Sequence, residues 1–193
     1  MKPQSKKSYD PTRVLLTICI LITATSFVVY KYINKPNHNI KAVDPLYNTA
    51  LATTVDSITV IKKNRIMMVY GGGKLLKKYK VSLGAQPVGP KHCEGDNKTP
   101  EGRYYISVKN AGSKYHKSLG VSYPNETDRR YAQKNKQPTG GDIMIHGLPN
   151  NFIGDPNGYT RLDWTAGCIS VNNQQIDELY THVEMRTPIT ILP

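Results

Sequence analysis

The feature that most limits what this 193-residue chain can fold into is an uncharged run at residues 14–30, VLLTICILITATSFVVY. It is apolar all the way round a helix, which a half-exposed surface helix is not. Its length sits at the lower end of what spans a bilayer, and Tyr30 and Tyr32 are placed for the far interface. Lys2, Lys6, Lys7 and Arg13 precede the run, against Asp10 alone. The positive-inside bias then keeps the start of the chain in the cytoplasm and exports everything after Lys31. A cleaved signal peptide is the alternative reading, because Ala24-Thr25-Ser26 offers small residues. The run is long for a signal core and lacks an A-x-A, so an uncleaved anchor is preferred. The expected organisation is a tail at 1–12, a transmembrane signal-anchor at 13–32, a linker at 33–53 and one domain at 54–193.

Charge narrows the partners. Lys+Arg number 26 and Asp+Glu 14, a net +12, of which residues 1–35 hold six basic groups and one acid. The exported part therefore keeps 12 − 5 = +7, which suits an anionic surface such as a cell wall or membrane. No basic stripe interleaved with aromatics is present, so no nucleic-acid partner is expected. Three cysteines without a C-x-x-C pair provide neither a disulfide framework nor a zinc site, and no metal or cofactor is expected. The GGGK at 71–74 has Leu75 where a phosphate loop needs Ser or Thr, and reads as a turn.

The exported part reads as β-rich, mainly β with one or two helices. Residues 57–62 and 65–70 alternate or run apolar around Lys63-Asn64, a hairpin pattern, and 74–83 returns after the three glycines. Residues 84–102, rich in Gly and Pro, form a long irregular stretch of the kind that carries function. Residues 103–109 are a strand, 126–136 a polar helix, and 142–146 a short buried strand with Met144 and His146 on one face and Ile143 and Ile145 on the other. Asn172 or Asn173 can cap a helix carrying Ile176, Leu179, Tyr180 and Val183, and 187–192 closes as a strand.

Two residues invite chemistry. His146 ends a buried strand beside Gly147, and Cys168 follows Gly167 in a tight, glycine-containing segment. A thiol nucleophile needs a base, and the N–H groups of Gly167 and Cys168 can face a developing oxyanion. A buried structural cysteine and a partnered core histidine are the bland alternative.

The surrounding segments resemble the YkuD-type L,D-transpeptidase catalytic domain, closest to its YafK-like subgroup. The resemblance runs over about residues 57–193, through VSLGAQPVGPKHCEGDNKTPEGRYYI (81–106), SLGVSYPN (118–125), GGDIMIHGLPN (140–150), DWTAGCISV (163–171) and TPITIL (187–192). It implies a YkuD-like mixed β-sandwich or barrel, preceded here by one transmembrane helix. It also implies Cys168 as nucleophile and His146 as general base and acid, with Thr165 and Gly147 in support. The implied substrate is the peptidoglycan stem peptide, with a wall-linked lipoprotein as a further partner and the inner membrane as the site of attachment. Many members carry a second histidine at the position of Ala166 and an arginine at that of Ser170. Arg161, Lys91 or Arg129 is then left to anchor a substrate carboxylate. Two other readings stay open: a murein-binding module without turnover, and hydrolysis of the same bond. A Cys93–Cys168 redox pair ranks below them, and His92-Cys93 is a poor ligand pair because neighbours on an extended chain face opposite ways. His38, His116 and His182 read as tether or surface residues, and Trp164 as packing beneath the Cys168 segment.

Overall fold

Alternation of apolar side chains sets the strands. Ile58 and Val60 in β1 (Ser57–Ile61) and Met67 and Val69 in β2 (Ile66–Gly71) are buried, while their neighbours are not. The computed structural model describes residues 45–159 and 162–193. The expected tail at 1–12, the anchor at 13–32, His38 and Arg161 lie outside the described residues. No helix among the described residues is long and apolar enough to cross a membrane.

The β1–β2 hairpin forms as expected, pairing Ser57 with Tyr70 and Ile61 with Ile66. Its turn is a 3-10 turn, Lys62–Asn64, closed by Arg65 in the left-handed region at φ 51°. Gly72 and Gly73, at φ 58° and 71°, make the tight return into β3 (Lys74–Lys80) that L-residues resist. Strands β4 (Gly102–Ser113), β5 (His116–Val121), β6 (Met144–His146), β7 (Ile169–Ser170) and β8 (Pro188–Leu192) complete one sheet in the order β3-β2-β1-β8-β4-β5-β6-β7. The β1–β8 and β6–β7 pairs are parallel and the others antiparallel. Just past β3, Ser82 exchanges both backbone hydrogen bonds with Ser170 of β7, each 2.9 Å long. The two ends of the strand order therefore meet, and the sheet curls into a barrel-like layer, in line with the β-rich expectation.

Among the described residues, two longer helices accompany the sheet, beside a four-residue helical turn at Pro156–Tyr159. Helix α1 (Glu126–Lys134) is capped by Asn125, whose side chain accepts from the Asp128 N–H while Asp128 accepts from the Asn125 N–H. Helix α2 (Asn173–His182) carries the same reciprocal box between Asn172 and Gln175, and buries Ile176 and Leu179 against the sheet. Neither β5 nor β7 is legible in the sequence. HKSLGV shows no clean alternation, because both faces of β5 are covered, and a two-residue strand is too short to leave a period.

The folded region begins ahead of Thr54. Leu51 lies in the hydrophobic core and its N–H donates to Glu178 Oε1 at 2.6 Å. Glu178 also accepts from Lys77 Nζ (2.7 Å) and the Tyr79 hydroxyl (2.8 Å). Burial alone would raise the Glu178 carboxyl, but Lys77, the Leu51 N–H and Tyr79 outweigh it and hold it below the usual range. Its contribution to stability is present above the ordinary glutamate range and is lost as pH falls through the lowered folded value. Glu178→Gln should cost about 2 kcal/mol at neutral pH and flatten the loss of stability in acid, as read by denaturant unfolding from pH 3 to 7.

Candidate active site

A parallel pair of two rungs builds the site. Ile145 faces Ile169 and His146 faces Ser170 across β6 and β7. Both isoleucines belong to the core. Side chains alternate along a strand, so Met144, His146, Cys168 and Ser170 share the opposite face. Cys168, immediately ahead of β7, is a diagonal neighbour of His146 on the adjacent strand. The structure thus brings the two sequence candidates to one face.

His146 is 3% exposed and its ring packs on Tyr115 (centroids 4.5 Å apart) and Trp164 (5.7 Å). Its Nδ1 lies 2.7 Å from the Gly147 carbonyl, which only accepts, so Nδ1 carries the proton and Nε2 keeps its lone pair. Burial lowers the imidazole pKa from the ordinary 6.5, and the Gly147 carbonyl opposes this in part. A side chain at Gly147 would put its Cβ 2.6 Å from Asn173 Oδ1 and 3.0 Å from the Tyr115 carbonyl, which explains glycine there.

The half-buried Cys168 thiol donates to the Asp142 carbonyl at 3.5 Å. Burial raises its pKa and the Asp142 charge adds to this; the Met144 backbone N–H and the Lys91 charge pull the other way. The Gly167 N–H, expected at an oxyanion, donates instead to Thr165 Oγ1 at 3.1 Å, because the turn folds it back onto that hydroxyl. Thr165 Oγ1 in turn donates to the Cys168 carbonyl at 2.7 Å. The Cys168 N–H has no partner among the described residues. Thr165 is also paired by its backbone to Leu83 and Ala85, so it fixes the cysteine segment from two sides.

The supports of this segment converge on the β1–β2 turn. Lys62, 2% exposed, donates to the Gly89 carbonyl (2.6 Å), the Thr99 carbonyl (2.8 Å) and Glu101 Oε1 (2.8 Å). All three acceptors lie in or at the end of the irregular 84–102 stretch. Arg65 binds Asp163 through Nε (3.1 Å) and Nη2 (2.7 Å), and Asp163 Oδ1 accepts from the Leu83 N–H. The 84–102 loop then lies directly on the cysteine segment: a Cβ on Gly167 would sit 2.6 Å from the Lys98 carbonyl. Within the loop, Asp96 accepts from Lys91 Nζ and from the N–H groups of His92, Cys93 and Lys98.

The remaining sequence candidates take structural places. Lys91 is buried on Asp96 and the Cys93 carbonyl. His92 stacks on Tyr131, and His116 Nε2 meets Asp177 at 2.8 Å. Ser170 is fully buried with its hydroxyl toward the Gly147 carbonyl. Trp164 packs on His146, Tyr115 and Tyr159, as expected of it. Lys62, Arg65 and Asp163 were not read from sequence as site residues. Nothing local separates a clamping lysine in a hairpin turn from a solvated one.

The family model of the YkuD L,D-transpeptidase catalytic domain matches residues 55–191. The chain belongs to this family. Among relatives, it is 29% identical to YafK of Escherichia coli K12 over 132 residues, covering 65% of this chain and 46% of YafK. Among solved structures it is similar to the helical cell shape determining protein Pgp2 from Campylobacter jejuni, at 27% identity and a TM-score of 0.55, covering 75% of this chain and 51% of that one. The chain thus spans about half the length of these relatives. Within the YkuD match lie both faces of the site and the turn that supports it.

Two measurements probe this YkuD domain's geometry. Lys62→Met leaves two buried carbonyls and Glu101 without their cation and should cost about 3 kcal/mol in chemical denaturation; an unchanged midpoint would mean the clamp is idle. Nitrogen-15 NMR should find His146 as the Nδ1–H tautomer at pH 7, titrating below 6.5.

Proposed function

We propose that this protein is a cysteine-dependent L,D-transpeptidase acting on peptidoglycan stem peptides through an acyl-thioester. A signal-anchor at 13–32 would hold it in the inner membrane of a bacterium, with the domain in the periplasm. The observation that carries the reading is the fixed imidazole, Nδ1–H on the Gly147 carbonyl and Nε2 without a hydrogen-bond partner among the described residues, on the face and adjacent strand of the Cys168 thiol. Family membership supports the reaction class, and the net +7 of the exported part suits an anionic wall.

In this reading the thiol swings from the Asp142 carbonyl to His146 Nε2, which takes its proton as sulfur attacks a stem-peptide carbonyl. By resemblance to the family, that carbonyl would belong to the diamino acid at the third position. The Cys168 N–H faces the developing oxyanion, with Gly167 committed to Thr165. The protonated imidazole then gives its proton to the departing D-alanine amine, the C–N bond breaks and the thioester remains. An amine from a second stem attacks next, His146 removes its proton, and the thiol is released with a 3→3 cross-link formed. An amine on a wall-linked protein gives attachment, and water gives hydrolysis. Pgp2 is a cell shape determining protein, and a part in cell shape is proposed here by that likeness.

The pH dependence follows from the two shifts. A thiol raised by burial is neutral at pH 7, so a preformed thiolate does not carry the reaction and the base does. Protonating His146 removes that base, and its pKa is lowered, so kcat/KM on murein tetrapeptide should hold at neutral pH and fall only below 6.5. An acid limb centred above 6.5 would contradict this assignment. Cys168→Ala should abolish every product seen by mass spectrometry, and His146→Ala should lose about 100- to 10,000-fold. Tetrapeptide left intact by the wild-type chain would favour a binding module without turnover.

A further inference from the structure

A groove of about 600 Å³ on the outer face of β4, β5 and β6 plays no part in the bond-breaking steps above. Its wall includes Asp142 and Met144, the same two residues whose backbone holds the Cys168 sulfur. Gly120 makes its floor. That residue pairs with Val108 on one side and Met144 on the other, and a Cβ there would lie 2.3 Å from Val108 Cγ1 and 3.3 Å from Met144 Sδ. Met144 shares its face with His146 and Cys168, so the groove leads along the sheet away from the thiol. A trough lined by glycine, with the two residues that contact the Cys168 sulfur in its wall, accommodates extended peptide.

The charges in the groove are uneven. Arg103 is exposed and has no ion pair among the described residues. Arg129 donates to the Pro124 carbonyl and has no acidic partner there. Of the two acids in the lining, Glu126 is engaged by Arg130, and Asp142 alone is uncommitted. Tyr105 and Val108, each 42% exposed, add apolar surface between the arginines and the floor. Of the other candidates, Lys91 is committed to Asp96, position 170 is a buried serine, and Arg161 lies outside the described residues. A guanidinium with free N–H groups matches a carboxylate in a planar fork.

Resting on the peptide-acyl reading for its ligand, we propose that this groove is the subsite for the peptide that acylates Cys168, with Arg129 and Arg103 binding its carboxylate. Arg129 then takes the anchoring task left without an arginine at position 170.

Binding separates this proposal from turnover. The full chain carrying Cys168→Ala is titrated calorimetrically with murein tetrapeptide and with the same peptide amidated at its carboxylates. The acid should bind about tenfold more tightly than the amide. Adding Arg129→Gln or Arg103→Gln should remove most of that preference while leaving the amide's affinity in place, and Val108→Trp should weaken both peptides by filling the trough. Circular dichroism and the melting temperature confirm that these surface variants fold. Equal binding of acid and amide, no binding of either, or a preference that survives both arginine changes overturns the subsite. Failure of the wild-type chain to convert tetrapeptide, with the binding preference intact, instead overturns the transpeptidase reading and leaves the subsite standing.

Discussion

Two rungs of parallel pairing, Ile145 with Ile169 and His146 with Ser170, carry the rest of this site. Strands this short have little stability of their own. They hold because both isoleucines are sealed in the core, because Val171 N–H reaches the His146 carbonyl, and because Ser82 pairs with Ser170 from the other side. A slip of one residue would turn the cysteine into the core and an isoleucine to the surface. Burial of apolar surface thus fixes where the sulfur stands relative to the imidazole.

In the resting arrangement two backbone carbonyls hold the thiol and the imidazole by accepting a hydrogen bond from each. The Asp142 carbonyl accepts from the Cys168 thiol and the Gly147 carbonyl from His146 Nδ1–H. Desolvation disfavours charge on both side chains, so the neutral pair is the stable one at rest.

Much of the architecture was legible in the sequence. The hairpin, the Asn172 box, the alternation of 142–146 and the irregular 84–102 stretch each leave a local period or cap. The pairing partners leave none: nothing in TPITIL says that it lies parallel to β1 and antiparallel to β4, and a two-residue β7 is below any period. His146 and Cys168 stood out through the segments around them. The Gly167 N–H donates to Thr165, an internal turn hydrogen bond set by backbone angles that spacing does not reveal. Lys62 went unnoticed for a similar reason, since its three acceptors are 27 to 39 residues away.

The hairpin turn that supplies both Lys62 and Arg65 ties two loops to one foundation. Segment 84–102 and segment 163–168 are therefore not interchangeable parts. A chimera that imports either from a distant homologue without residues 62–65 would inherit carbonyls and a carboxylate shaped around an absent ammonium or guanidinium. Swaps among such domains are best cut so that the hairpin and both loops travel together as one module.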